Sequence, residues 1–132
     1  MSQHEIDPTG EPYHPEKIDR KEYVGAAAYF ELDLRAGVVI EVEEFPEMRK
    51  PSYKIHVDFG PVMGKLWSSA QITNYSRAQL MGRTVVGALN LGDKTLPSGF
   101  VSQFLVLGAI DPDGTVRLLE LPEGVLPGSM VA

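Results

Sequence analysis

The sequence predicts a mainly β domain with five short strands, a short helix between the third and fourth strands, an N-terminal helix and a C-terminal β extension. From Leu34 onward, apolar and polar residues alternate with a period of two. Each alternating run is bounded by Pro-rich or Gly-rich turns. A chain of 132 residues has the length of about one domain. This order of elements is that of the OB-fold, a partly open five-stranded Greek-key barrel.

The N-terminal region is predicted to contain a tail and one helix. Residues 1–16 carry three prolines and four acidic residues without an apolar period, which is typical of a flexible or surface-clamped tail. Asp19 and Glu22 have the spacing of a capping box, and good helix formers follow in YVGAAAYFEL. Residues 17–31 are therefore predicted to form a helix, and residues 32–132 the barrel with its extension.

Five runs of alternating residues are assigned to the barrel strands. In the second run, Ile55 and Val57 occupy one face and Lys54 the other, so one face is buried and the other is wet. In chain order, the predicted elements are the strands VVIEVEEF, SYKIHVDFG and KLWSSAQIT, the helix SRAQLM, the strands RTVVGALNL and FVSQFLVLGAI and, after the turn DPDG, the short strand TVRLLEL.

Composition argues against several function classes. The chain has no cysteine, so it has no disulfide or thiolate metal site, and its three histidines lack a metal-ligand spacing. No nucleophile, base and orienting group fall together, and no phosphate-binding glycine loop occurs. We therefore expect neither a metal, a cofactor nor an enzyme. The first residues lack a signal-peptide pattern, so we expect a cytoplasmic protein without membrane insertion.

Charge is distributed unevenly along the chain. The net charge is −6, which taken alone argues against nucleic-acid binding. Residues 48–110, however, carry seven cations and two acidic residues, a local net charge of +5. Because the Debye length is about 8 Å at physiological salt, a local basic patch can act on a ligand whatever the global sign. The alternative is an ordinary solvated surface.

Several separated motifs resemble the bacterial tRNA-binding domain family. They are FELDLRAGVVIEVEEFPEMRKPSYKIHVDFG, SSAQIT, GRTVVGALNL, GFVSQFLVLGAI and PEGVLPG, and they cover the chain from about Phe30 to the C-terminus. The family includes domains of some methionyl-tRNA synthetases, and this sequence is most similar to the CsaA-type proteins, which are described as export-related chaperones. The chain departs from that branch at NLGDK and at Gln103, where an acidic residue is usual.

The resemblance implies a polar ligand face. The motifs place Ser68, Ser69 and Gln71 on the third strand and Asn90, Lys94, Ser102 and Gln103 around the loop before the last barrel strand. To these the charge pattern adds Arg49 and Lys50 at the mouth of the first loop and Lys54 on the second strand. Strand alternation puts Ser68 and Gln71 on opposite faces, so only one of them can face the groove. We assign Ser68 and Lys54 to the ligand groove, because we expect Trp67 and Ile55 in the core. The alternative for Trp67 is a stacking platform for bases.

The resemblance also implies partners. It predicts tRNA as a ligand, unfolded or pre-export polypeptides as possible further ligands, and a homodimer. Apolar residues outside the five strands suggest that the dimer forms through a helix at about Ile18–Leu32 and the run from Asp111. Three functions stay open at this point: a tRNA-binding module with export chaperone activity, a peptide-binding chaperone without an RNA ligand, and a trans-acting accessory module for an aminoacyl-tRNA synthetase.

Overall fold

The computed structural model describes residues 13–132, so most of the predicted tail lies outside the described residues. The first element is a turn of 3-10 helix at Pro15–Lys17. The other elements are short, and in chain order they are α1 (Ala26–Phe30), β1 (Leu34–Glu44), β2 (Tyr53–Asp58), α2 (Gly60–Met63), β3 (Lys65–Ala70), α3 (Arg77–Leu80), β4 (Thr84–Ala88), β5 (Lys94–Thr95), β6 (Val101–Ser102), β7 (Leu105–Val106), β8 (Gly108–Ile110) and β9 (Val116–Leu118).

Five strands form one antiparallel sheet in the order β3-β2-β1-β4-β7, which curves into a nearly closed barrel. The first part of β1 pairs with β4 and the rest pairs with β2. The register with β2 shifts between Val39 and Glu41. Such a bulge bends a strand and increases its twist, which helps a sheet to close. The predicted OB-like barrel with a short helix between the third and fourth strands is confirmed.

Phe59 is the central side chain of the barrel core. It is fully buried, and its ring packs edge-on against Phe104 with 4.9 Å between the centroids. Two strand glycines leave space for it, since a Cβ would lie 2.6 Å from Phe59 Cδ1 at Gly37 and 2.7 Å from Phe59 Cζ at Gly87. The Phe59 ring therefore fills the space that side chains at Gly37 and Gly87 would otherwise occupy.

The helix between β3 and β4 follows its sequence signals. The Gln79 backbone N–H donates to Ser76 Oγ at 3.1 Å, and the Ser76 N–H donates to Gln79 Oε1 at 2.7 Å. This capping box satisfies two N–H groups that the first helical turn leaves unpaired. Leu80 is fully buried, and Gly82 follows with φ +79°. The prediction of a short helix at SRAQLM is confirmed, and Gly82 ends it.

The predicted fifth strand is divided into three. Val101–Ser102 pairs with β5, Leu105–Val106 with β4, and Gly108–Ile110 with β9. The β8–β9 hairpin closes through the turn DPDG, where the Thr115 N–H donates to Asp113 Oδ1 and lowers the pKa of that carboxyl. The predicted single strand is wrong because its segments change partner around the barrel.

The N-terminal helix is shorter than the predicted span of residues 17–31. It covers only Ala26–Phe30, and the expected capping box of Asp19 and Glu22 does not form because residues 18–25 are not helical. Gly25 stands before it with φ +80°. Residues 18–25 are all exposed. Short helices need tertiary packing to be stable in water, and this segment has none within the described chain.

A further short helix, α2, was not predicted. It follows Phe59 directly and ends at Gly64, which has φ +72°. Four residues are too few to show a helical period in the sequence. Across residues 13–132, no helix combines the length and the apolar character that a membrane span requires.

Candidate functional site

Two neighbouring serines of β3 point to opposite faces. Ser69 pairs with Lys54 on the outer face, whereas Ser68 pairs with Ile55 and is 1% exposed. The Ser68 Oγ donates to the Phe104 carbonyl at 2.7 Å. Assigning Ser68 to an exposed groove is therefore wrong. Its hydroxyl lies in the barrel interior because it finds a hydrogen-bond acceptor there.

Trp67 lies on the outer face of β3, so its assignment to the core is also wrong. Strand alternation requires this orientation once Ser68 points inward. The indole stacks on His56 at 4.1 Å between ring centroids and 6° between planes. His56 Nδ1 in turn lies 3.3 Å from Glu41 Oε1. A row of three side chains thus crosses the three neighbouring strands on the outer surface.

A groove lies beside this row, between the β1–β2 loop and the segment 94–102. Its volume is about 610 Å³. It brings together six of the ten predicted site residues, which come from three separate parts of the chain. These six are Arg49, Lys50, Ser69, Gln71, Lys94 and Ser102.

The groove is locally basic in an acidic protein. Among residues 13–132, the groove is lined by Arg49, Lys50 and Lys94 and by the carboxylate of Glu47, whereas the whole chain carries −6. Arg49 is exposed, and Lys50 and Lys94 are half-buried. Cations around a concave surface raise the local concentration of anionic ligands. This arrangement suits a polyanion such as a phosphodiester backbone.

Lys54 lies next to the groove and contacts two aromatic rings. Its Nζ is 4.8 Å from the centroid of Phe45 and 5.3 Å from that of Phe100. The two rings contact each other edge-on at 5.2 Å. Because Phe45 follows β1 and Phe100 precedes β6, this cluster connects the two chain segments that border the groove.

Two predicted site residues, Ser102 and Gln103, close the barrel with their side chains. The Trp67 N–H donates to Gln103 Oε1 at 2.9 Å, and the Gln103 N–H donates to the Trp67 carbonyl at 2.8 Å. The Ser69 N–H donates to Ser102 Oγ at 3.2 Å. These side-chain atoms replace part of a regular ladder between β3 and the segment before β7. Ser102 and Gln103 therefore hold β3 in place.

Asn90 does not lie in the groove. Its Oδ1 accepts from the Asp33 N–H at 2.8 Å, and its Nδ2 donates to the Glu31 carbonyl at 2.7 Å. Both amide atoms are used to attach the chain between α1 and β1 to the end of β4. The placement of Asn90 on the ligand face is wrong, because this structural role occupies its side chain.

The sequence interpretation missed most of the groove wall formed by the loop between β5 and β6. Its composition, GDKTLPSG, indicated a turn-rich loop but not its position over β3. The groove residues that were missed are Glu47, Met48, Thr95, Leu96, Pro97 and Ser98.

The sequence matches no established protein-family profile. It is 31% identical over 111 residues to a methionine–tRNA ligase of Phocaeicola vulgatus and 30% identical over 113 residues to one of Methanocaldococcus jannaschii. These alignments include 84% and 86% of this chain, which spans only 16% and 17% of the two ligases.

This chain aligns with two solved structures over the whole length of each of them. The crystal structure of the CsaA chaperone protein from Picrophilus torridus is 39% identical with a TM-score of 0.78, and 83% of this chain is aligned. The CsaA chaperone from Bacillus anthracis is 34% identical with a TM-score of 0.74 over 84% of this chain. With these relatives, and with its OB-like barrel, the chain belongs to the family of CsaA-like tRNA-binding domains.

Proposed function

We propose that this chain is a tRNA-binding module that holds RNA phosphates in the basic groove, and that it acts by binding and not as an enzyme. The observation that carries the proposal is the clustering of Arg49, Lys50 and Lys94 in one concave surface of an otherwise acidic protein. Family membership supports tRNA as the RNA. A cytoplasmic location, where tRNA is used, is part of the proposal.

Recognition in this proposal is tolerant of base sequence. Phosphate contacts fix the position of a nucleic acid but carry no sequence information. The cations are supplied by the β1–β2 loop and by β5, whereas hydroxyl and amide groups such as Ser69 and Gln71 line the rest of the groove. In the trans-acting form of the proposal, this affinity delivers tRNA to a separate synthetase. Co-purification of a synthetase with the native protein tests that form.

The affinity for tRNA is expected to fall with salt. Three phosphate contacts give a slope of log K against log salt of about −2 for single strands and about −3 for duplex RNA. The double variant Arg49→Glu, Lys94→Glu should weaken binding and flatten the slope by more than 1. Fluorescence anisotropy with labelled tRNA at several salt concentrations measures both effects.

Lys65→Glu is a suitable control for that measurement. Lys65 is exposed and lies outside the basic groove. Its reversal alters the net charge by the same amount as each groove substitution. We expect Lys65→Glu to have nearly the same slope of log K against log salt as the wild-type protein. The proposal would be wrong if Lys65→Glu weakened tRNA binding as much as the single variant Arg49→Glu, which changes the net charge equally. In that case the net charge of the protein, and not the groove, would determine the affinity for tRNA.

Chaperone activity on unfolded or pre-export polypeptides is the second candidate function. Besides its cations, the groove presents apolar Met48, Leu96 and Pro97 next to the amide of Gln71. An extended peptide is bound by such a mixture of main-chain hydrogen bonds and shallow apolar contacts. Suppression of aggregation of an unfolded test protein, unaffected by salt, supports this candidate, because counterion release belongs to phosphate contacts.

We further propose that the protein forms a homodimer through its chain ends. The C-terminal segment pairs with the start of β1, since the Gly128 N–H donates to the Ala36 carbonyl and the Val131 N–H to the Leu34 carbonyl, each at 2.8 Å. The C-terminal segment therefore lies beside the start of β1, and α1 directly precedes β1 in the chain. Several large apolar side chains of these regions are exposed: Phe30 by 73%, Leu126 by 73% and Met130 by 81%.

One detail of the predicted interface is corrected. The run from Asp111 that was predicted for the dimer contact includes Leu118, but this side chain is 6% exposed and packs in the barrel core with Val116. The interface is therefore assigned to α1 and to the last residues of the chain. A stable contact there has to bury more than about 1,000 Å² in total.

Sedimentation velocity tests the dimer directly. At micromolar concentration we expect the wild-type protein to sediment as a dimer. The double variant Leu126→Asp, Met130→Asp should sediment as a folded monomer, because it would bury two unpaired carboxylates at the contact. Met81→Asp, at a side chain that is 48% exposed and follows α3, serves as the control. A monomeric wild-type protein would contradict the proposal.

A further inference from the structure

A second, smaller pocket adjoins the basic groove on the outer face. Its volume is about 420 Å³, and Glu43, Lys54, Trp67, Phe100, Val101 and Gln103 line it. Trp67 of the pocket and Ser69 of the groove point to the same face of β3, two residues apart, which corresponds to about 7 Å. The two concavities are therefore neighbours along one strand.

The aromatic residues of the pocket are held in position by their neighbours. His56 stacks on the Trp67 indole, and Phe100 stands nearly perpendicular to it at 85°, with 6.4 Å between centroids. The Trp67 backbone is bonded on both sides to Gln103. Rings that are already ordered lose little conformational entropy when a ligand binds.

Charge separates the roles of the two concavities. Counted over the described residues, the pocket contains one cation and one carboxylate, Lys54 and its strand neighbour Glu43, which cancel. The described lining of the groove contains three cations and one carboxylate, a net charge of +2. An aromatic surface without net charge suits the neutral, planar part of a nucleotide. The basic groove suits the phosphate.

We propose that the pocket receives one unpaired nucleobase, which stacks on Phe100 with the Trp67 indole at its edge, while an adjacent phosphate lies in the basic groove. This inference rests on the proposed RNA binding and adds that the ligand is an unpaired nucleotide. Aromatic stacking of this kind tolerates any base, because every base has a π-face. The bound RNA segment is thus a loop or an end, where bases are free to leave the helix.

Trp67 provides a local signal for the test, since it is the only tryptophan of the chain. The probes are a short single-stranded oligouridylate and an abasic oligomer of the same length, which has the same phosphates but no bases. We expect the oligouridylate to quench Trp67 fluorescence and the abasic oligomer to leave it unchanged. Stacking of one base corresponds to roughly 5- to 150-fold tighter binding of the oligouridylate.

Two variants distinguish the pocket from the groove. Phe100→Leu should remove most of the preference for the oligouridylate while binding of the abasic oligomer stays within about twofold. Arg49→Glu should weaken both oligomers and preserve their ratio. In each variant, Trp67 emission without ligand reports whether the pocket is intact. The proposal is tested by the ratio of the wild-type protein's affinities for the oligouridylate and for the abasic oligomer, and not by either affinity alone.

The outcomes separate this inference from the proposed function. If tRNA and both oligomers bind, but the oligomers bind equally and without quenching, the nucleobase pocket is wrong and RNA binding stands. If neither tRNA nor an oligomer binds, the RNA function itself is wrong and the pocket proposal falls with it. Quenching by an unfolded polypeptide but not by the oligouridylate would assign the pocket to peptide side chains and overturn the proposal.

Discussion

Phe59→Ala is expected to lower the free energy of unfolding by about 3–5 kcal/mol, the range for removing a fully buried aromatic side chain. Phe59 has no exposed surface and packs against Phe104. The cavity should not collapse, because Gly37 and Gly87 offer no side chains that could fill it. Domains of this size are stable by about 5–15 kcal/mol, so the loss is a large fraction. Urea denaturation followed by circular dichroism measures it.

A double-mutant cycle checks the reason for that loss. Gly87→Ala alone should cost about 1–3 kcal/mol, since its Cβ would lie 2.7 Å from Phe59 Cζ. In a Phe59→Leu background the same substitution should cost clearly less, because the colliding ring is gone. Additive changes in free energy would show that the contact between the two residues does not determine the packing.

Ser68→Leu is expected to destabilise the protein by about 2–6 kcal/mol. The larger side chain overpacks the interior, at about 1–3 kcal/mol. It also removes the donor to the Phe104 carbonyl at 2.7 Å, and an unsatisfied buried acceptor costs about 1–3 kcal/mol. Thermal unfolding should show a fall in Tm of several degrees or more. This result is the opposite of what a serine facing a groove would give.

Ser69→Leu is the matched control for that measurement. It makes the same chemical change one residue along β3, on the outer face, where Ser69 lines the basic groove. We expect its Tm to stay close to that of the wild type and its tRNA affinity to fall, because the leucine narrows the groove. If both variants unfolded at the same temperature, the assignment of the two faces would be contradicted.

The barrel could be predicted because its signals are local. Alternation in SYKIHVDFG places Ile55 and Val57 inside, and the Ser76–Gln79 capping box with Gly82 marks α3, all within a few residues of sequence. The split of the fifth strand could not be predicted in this way. A strand that changes neighbours around a closing barrel looks continuous in sequence, because its apolar pattern is unbroken.

The ligand face was harder to predict because a polar residue on a strand has two possible roles. Ser68, Ser102 and Asn90 bear polar groups at positions taken from the motifs, yet their side chains bond within the fold. Arg49 and Lys94, more than 40 positions apart, line one groove. Residue type predicted polarity correctly, but it could not distinguish a hydrogen bond to the fold from one to a ligand.

The sequence by itself determined the class of fold, the short helix between β3 and β4, and the basic character of the middle of the chain. Tertiary structure alone decided which face of β3 is inside. The pairing of Ser68 with the buried Ile55 of β2 sets that parity and turns Trp67 outward, and the hydrogen bond to the Phe104 carbonyl satisfies the buried Ser68 hydroxyl. The period of two defines the two faces of a strand. When both faces carry polar and apolar residues, as in β3, only the closure of the sheet determines which face meets the core.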